Sequence, residues 1–281
     1  MTHKKTLALS IVIPVFNEQR YIKACLDSIA AQAVMPDEVI VVDNNSTDKT
    51  VQIAKKYPFV RVVYEKKQNV VFARDAGFKA ARSNIIGRID ADTILPQYWV
   101  KNVIKSFESA SVAAVTGPVA YYDMPFPNKN YRFNHLMCKY THKWSPKSPF
   151  LYGSNMAIRK SVWNVVAKEM CHEQSTHEDI DLAIHLYQRR YKIVYTLDLL
   201  AKASGRRYND KLSEFARYVS MYSRTYNHHG LRTVSMYFAM FMWSLGYIIM
   251  RPWRIIWFSV YAPRSRYPVS SSPRKNPAVS V

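Results

Sequence analysis

The sequence predicts an α/β protein: a Rossmann-like sheet flanked by helices and extended at its C-terminal end by a hydrophobic helical segment. Three observations lead there. Short β-branched apolar runs alternate with stretches of helical spacing through the first 120 residues, the pattern that builds parallel βαβ units. Polar clusters follow directly on three of those runs, where such sheets bind their ligands. Residues 234–250 then carry no charge at all.

Taken in order, Leu9-Ser10-Ile11-Val12-Ile13 reads as a strand buried on both faces. Ile22, Leu26 and Ile29 fall on one side of a helix over 21–33, and residues 38–42 form a second strand. Ser46-Thr47-Asp48 supplies a helix start for Val51, Ile53 and Ala54, with Asp48 as a capping residue. Strands are expected at 60–64, 85–89 and 112–116, and helices at 71–81 and from Pro96 to about residue 108. Between about 120 and 150 the pattern dissolves among prolines and aromatics, and a long irregular substrate-facing segment is expected. Order returns as a strand near 153–158, helices from Ser161 and over 179–190, and a strand at 192–197. The uncharged run 234–250 is at the short limit of a membrane span; Arg251-Pro252-Trp253-Arg254 interrupts it before 255–262 resumes. These features divide the chain into a catalytic domain (1–207), a hydrophobic, membrane-associating helical segment (208–262) and a disordered basic tail (263–281).

The formal net charge of +20 on 281 residues favours polyanionic partners: anionic lipid, phosphorylated small molecules or nucleic acid. From Lys202 onward thirteen Lys and Arg stand against two Asp and Glu, so over half the excess is C-terminal. No nucleic-acid motif is recognisable, and a membrane surface accounts for the basic end equally well. Cys25, Cys138 and Cys171 are odd in number and widely spaced, without the clustering of a zinc site or a disulfide framework. They read as reduced thiols. No signal peptide is expected at the N-terminus, so the cytoplasmic face of a membrane is the expected location.

The residues with chemical potential lie on one rim. Pro14 to Glu18, Asp43 to Asp48 and Asp90-Ala91-Asp92 each follow a strand. Two carboxylates one residue apart at a strand end suit a hard cation, Mg²⁺ or Mn²⁺, which completes its shell with phosphate oxygens and water.

Five segments in sequence order carry a resemblance. Ile13-Pro14-Val15-Phe16-Asn17-Glu18, Val42-Asp43-Asn44-Asn45-Ser46-Thr47-Asp48-Lys49-Thr50, Ala73-Arg74-Asp75-Ala76-Gly77, Asp90-Ala91-Asp92 and His177-Glu178-Asp179 resemble the motifs of glycosyltransferase family 2. The resemblance spans about residues 7 to 207. It implies the GT-A fold, with a mixed sheet, and a metal-dependent, inverting transfer of one sugar from a nucleotide-diphosphate sugar, UDP first and GDP next. It further implies that Pro14, Val15, Glu18, Asp43, Arg74 and Asp90 bind the donor. Asp90 and Asp92 would hold the metal, and Asp179, beside Glu178, would be the general base. Gly153-Ser154-Asn155 would face the acceptor, a glycan or a lipid-linked sugar, and Arg206-Arg207 would reach the diphosphate.

Asp75 and Asn44-Asn45 depart mildly from the family pattern, and the absence of Gln-x-x-Arg-Trp favours non-processive transfer. A sugar nucleotidyltransferase would carry a Gly-rich basic loop where Val-Phe-Asn-Glu stands. A dinucleotide-dependent oxidoreductase would need a G-x-G-x-x-G that no strand precedes. A basic membrane-associated binding protein without catalysis is the remaining alternative.

Overall fold

The first strand, β1 (Leu9–Val15), sits near the middle of the sheet because nothing in it tolerates water. Leu9, Ile11, Ile13 and Val15 face one layer and Val12 the other, and all five are buried. The computed structural model describes residues 7–144, 149–173, 176–261 and 268. β1 is followed by α1 (Ile22–Ala30), β2 (Glu38–Asp43), α2 (Thr50–Ala54), β3 (Val60–Tyr64), α3 (Val70–Ala80), β4 (Ile85–Arg88), α4 (Trp99–Ser106) and β5 (Val112–Thr116). Each matches an expected element within the few residues by which boundaries differ. Then come β6 (Val119–Tyr121), α5 (Pro127–Trp144), β7 (Met156–Arg159), α6 (Lys160–Val166), α7 (Glu178–Gln188), β8 (Lys192–Tyr195), β9 (Ala201–Ala203), α8 (Leu212–His228) and α9 (Val234–Tyr261).

The main sheet has seven strands in the order β3-β2-β1-β4-β7-β5-β8. Only β7 runs antiparallel, to β4 and to β5, so the sheet is mixed. α1, α2 and α4 cover one face with Ile22, Leu26, Ile29, Ala54, Trp99 and Val103. α3, α6 and α7 cover the other with Phe78, Trp163, Leu182 and Leu186. α3 lies so close to the sheet that a β-carbon on Gly77 would fall 2.3 Å from Val12 Cγ1. Only glycine allows that approach.

Two expectations are corrected. Residues 120–150 are not one long irregular segment: β6 pairs with β9 in a small second sheet, and α5 runs for 18 residues. The prolines mark its edges, since Pro127 occupies the first helical turn, where its missing N–H has no partner to lose. β9 itself is only three residues long, too short for a periodicity to register. The interruption at 251–254 does not occur either, for α9 passes through Pro252 unbroken for 28 residues. Arg254, two residues on, holds it there: its side chain is fully buried, 3.0 Å from Asp123 Oδ2, and donates to Asn209 Oδ1. α8 and α9 pack on each other through Phe215, Val219 and Tyr247 and on the preceding chain, where Tyr226 donates to the Pro149 carbonyl and Tyr226 and Met236 share a core with Ile180 and Ile184. The expected basic tail (263–281) and the first six residues lie outside the described residues, apart from Pro268.

Candidate active site

At the carboxyl edge of β1 and β4 the chain opens into a cavity whose lining includes Pro14, Val15, Glu18, Asp90, Asp92, Gly153, Ser154, Glu178, Asp179, Arg206 and Arg207. Its outer wall comes from α8 and α9, through Phe215, Tyr218, Tyr222 and Trp243. The loops that form the floor are cross-tied. Asn17 stands in the left-handed region (φ 55°), which Asn tolerates better than most residues. Its side chain accepts from the Thr47 amide while its own N–H donates to Ser46 Oγ. Asp48 accepts from the Thr50 amide at the start of α2, the local bonding expected of it.

Acid and base alternate through the site. Arg206, buried, lies 2.6 Å from Glu18 Oε1 and 2.8 Å from Asp92 Oδ2, and its guanidinium rests over Tyr21. Arg88, also buried, is 2.9 Å from Glu178 Oε1 and 3.2 Å from Asp90 Oδ1. Arg207 stacks on Tyr218 with its Cζ 3.5 Å from the ring centroid. Two arginines thus offset half the charge of four carboxylates that, at this depth, repel one another.

Asp179 and Glu178 open α7 and share a helix terminus but not an environment. Burial works against the Glu178 charge, yet Arg88, Arg74 and His177 hold its carboxyl below the ordinary glutamate range. Asp179 has no arginine in contact. Burial first, and the Glu178 charge second, push it up to about 7, against the pull of Arg88 and of the Gly153 and Ile180 amides. Gly153 N–H donates to Asp179 Oδ2 at 3.0 Å and Ile180 N–H to Oδ1 at 2.8 Å. A helix N-terminus favours the ionised carboxylate, but at Asp179 desolvation outweighs it. Burial likewise lowers His177 to about 4, so its ring is neutral and Nε2, 3.1 Å from the Tyr218 carbonyl, is the protonated nitrogen.

The structure redistributes several expected roles. Arg74 does not reach the cavity. Its guanidinium is buried against Trp163, pairs with Asp75 and donates to the Glu178 carbonyl, so it positions α7. Asp43 is buried at the end of β2 and accepts from the Ser46 amide, while Asn44 beside it lines the cavity. Asn155 does not face an acceptor. It is wholly buried, accepts from Trp99 Nε1 at 2.8 Å and donates to the Pro118 carbonyl at 3.1 Å. Gly153 and Ser154 do line the cavity. Sequence reasoning missed Arg88 and the aromatic wall. A charged residue in the apolar run Ile-Ile-Gly-Arg-Ile was the available signal for the first. None existed for the second, because α8 and α9 meet the site only in space.

Asp90 and Asp92 offer carboxylate oxygens of the kind a hard divalent cation takes, and each now faces an arginine, Arg88 and Arg206. Arrival of the ion would require Arg206 to release Asp92.

A mixed sheet with paired carboxylates at its carboxyl edge, under a cavity sized by tyrosines and arginines, is the architecture of a sugar-transferring enzyme. The chain belongs to glycosyl transferase family 2, the sequence model of which matches residues 10–166. Among curated relatives, the uncharacterized glycosyltransferase EpsJ of Bacillus subtilis is 33% identical over 88 residues, covering 30% of this chain and 26% of that protein. Glycosyltransferase AglE of Haloferax volcanii is 30% identical over 127 residues, covering 43% and 41%. These matches fall well short of two thirds of either relative. Of solved structures, the mannosyltransferase PcManGT from Pyrobaculum calidifontis, in complex with GDP-Man and Mn²⁺, superposes with a TM-score of 0.62 at 17% identity, over 94% of this chain and 78% of that one. Glucosyl-3-phosphoglycerate synthase from Mycobacterium tuberculosis, in complex with Mn²⁺, UDP and its product, gives 0.59 at 17% identity over 82% and 83%. At such identities the likeness establishes the fold.

Proposed function

We propose that this protein is an inverting, metal-dependent glycosyltransferase that moves one sugar from a nucleotide-diphosphate sugar to an acceptor hydroxyl with Asp179 as general base. The observation that carries the proposal is the divergence of two adjacent carboxylates. Glu178 keeps its charge beside Arg88, while Asp179, without such a partner, is tuned to about 7. A base with its pKa near the working pH takes a proton most effectively.

In this reading Asp179 accepts the acceptor O–H proton as that oxygen bonds the anomeric carbon. The bond from that carbon to the diphosphate oxygen breaks with its electron pair going to the nucleoside diphosphate, and attack from the opposite face inverts the centre. Pro14, Val15 and Asn44 meet the nucleoside, and Arg206, once released from Asp92, faces the diphosphate, where guanidinium groups suit phosphate oxygens. Mn²⁺ or Mg²⁺ held by Asp90 and Asp92 would supply Lewis-acid stabilisation of the leaving group. UDP-sugars are the first donors to try and GDP-sugars the second.

We place the enzyme at a membrane surface, acting on a glycan or lipid-linked acceptor. α9 is long and apolar enough to cross a bilayer by length and composition, but Met236, packed with Ile180 and Ile184, and Arg254, paired with Asp123, bind it to the catalytic body. Its other side exposes Phe241, Ile248, Ile249, Ile255 and Ile256. That arrangement suits a helix lying in the interface plane.

The test is Asp179→Asn. Transfer is expected to fall by about 10²–10⁴-fold while nucleotide binding, read by calorimetry with Mn²⁺ present, persists. Turnover within a few-fold of the parent would overturn the base assignment.

A further inference from the structure

On the far side of α7 from the cavity, four side chains that the sequence scatters over 59 positions converge: Cys171, Asp181, His185 and His229. One ligand atom from each lies within 4.8 Å of all the others. We propose that this cluster is a second metal centre, a structural site for Zn²⁺, separate from the cation that Asp90 and Asp92 would hold.

The geometry is built for it. Asp181 and His185 are i and i+4 on α7 and therefore share a face. His229 caps α8, and Gly230, at φ +69°, turns the chain immediately after it. Cys171 Sγ is 3.8 Å from His229 Nε2, and His185 Nε2 is 3.6 Å from Asp181 Oδ1. Tetrahedral zinc, with bonds of about 2.0–2.3 Å, gives ligand–ligand edges of roughly 3.3–3.8 Å. Those two edges are already in place. The His229 Nε2–Asp181 Oδ1 contact, now 2.6 Å, would open modestly to admit the ion.

A second observation points to a ligand. His185 is 7% exposed, yet among the described residues its Nε2 has no hydrogen-bond partner and is aimed into the cluster. Its other ring nitrogen, Nδ1, faces Glu169 Oε2 at 3.7 Å, and Glu169 is gripped by Arg189. Carboxylates in that position orient metal-bound histidines. The free oxygen of Asp181 is likewise fixed, accepting from the Cys171 amide at 2.9 Å.

Donor chemistry selects the ion. A sulfur and two imidazoles exclude Mg²⁺ and Ca²⁺, which take oxygen ligands. Binding releases the Cys171 proton, and thiolate plus carboxylate then cancel the charge of the dication, which a mostly buried site requires. The centre would tie the Cys171 segment and the end of α8 to α7, whose first turn carries Asp179.

The experiment uses the full chain, stripped with chelator and titrated with Zn²⁺, Mn²⁺ or Mg²⁺. Expected are stoichiometric zinc retained through gel filtration and a rise in melting temperature with Zn²⁺ that Mg²⁺ does not reproduce. Cys171→Ser and His229→Asn should each lose the zinc, Asp92→Asn should keep it, and Glu169→Gln should weaken it by about 10–100-fold. Co²⁺ in place of Zn²⁺ should give a thiolate charge-transfer band that Cys171→Ser abolishes. That band reports on the site even if a variant is less stable. Absence of bound zinc in the parent chain, or equal zinc in Cys171→Ser, overturns the proposal and leaves a hydrogen-bonded His–Asp pair.

Discussion

At the scale of single residues, the site is a set of charges whose neighbours decide their protonation. Asp179 illustrates the cost of such tuning. The folded protein holds its proton to about pH 7, whereas an unfolded chain releases it near about 4. Protons are therefore bound more by the native state across that interval, and stability falls as pH rises through it. Asp179→Asn should consequently melt several degrees above the parent at pH 8 and close to it at pH 4, a difference scanning calorimetry can read. Activity runs the opposite way: in the parent, kcat/KM should fall about tenfold per unit below pH 7, as the base is protonated. Gly153 is a second sensitive point. A β-carbon there would lie 1.8 Å from Arg88 Nη1, so Gly153→Ala must push Arg88 off Glu178 and disturb the amide that holds Asp179. Overpacking of this kind costs about 1–3 kcal/mol. We expect a drop in kcat larger than the change in KM, measured by steady-state kinetics. The acidic members of this site were legible from their place after strands. Arg206 was named by the resemblance, but its pairing with Glu18 and Asp92, like that of Arg88 with Glu178, arises only when β4, α7 and the segment after β9 are brought side by side.

At the scale of elements, the main-sheet strands and the helices that cover them follow from apolar periodicity alone. α5 and α9 do not. α5 carries so many Asn, Lys, His and Tyr residues that no apolar stripe announces it. α9 holds a proline and two arginines where a helix of this hydrophobicity would be expected to stop. Arg254 explains its persistence, and it supplies a test. Removing one partner of a buried ion pair costs about 3–5 kcal/mol, because the other charge is left behind. Arg254→Met should destabilise the protein on that scale in urea unfolding and make α9 the first site of limited proteolysis. Pairing it with Asp123→Asn should recover part of the loss, although Asp123 also accepts from Ser204 and Gly205 and will not be fully replaced.

At the scale of the whole molecule, a basic chain presents one long apolar helix face beside its cavity. Phe126, also exposed, meets Trp253 edge to face, so the apolar surface extends from α9 towards α5. Co-sedimentation with vesicles should therefore require anionic lipid at low occupancy of the apolar face and weaken with salt, as surface charge is screened. Replacing Phe241, Ile248 and Ile256 together by Ser should abolish vesicle binding while nucleotide binding is retained. Unchanged sedimentation of that variant would remove α9 as the contact. The proximity of this face to the cavity is what would let an acceptor anchored in lipid reach Asp179.

The sequence by itself determined the class of fold, the rim on which the acidic residues gather and the family, because local periodicity and short motifs survive without knowledge of distant contacts. Tertiary structure alone decided which of those residues line the cavity and which are buried behind it. It turned Arg74 and Asn155 inward to hold α7 and Trp99, set the unequal protonation of Glu178 and Asp179, closed the cavity with α8 and α9, and gathered Cys171 with two histidines and an aspartate. The physical reason is common to all four. Burial and pairing are properties of residues far apart in the chain, and charge, unlike apolar patterning, has no local period that would reveal its partner.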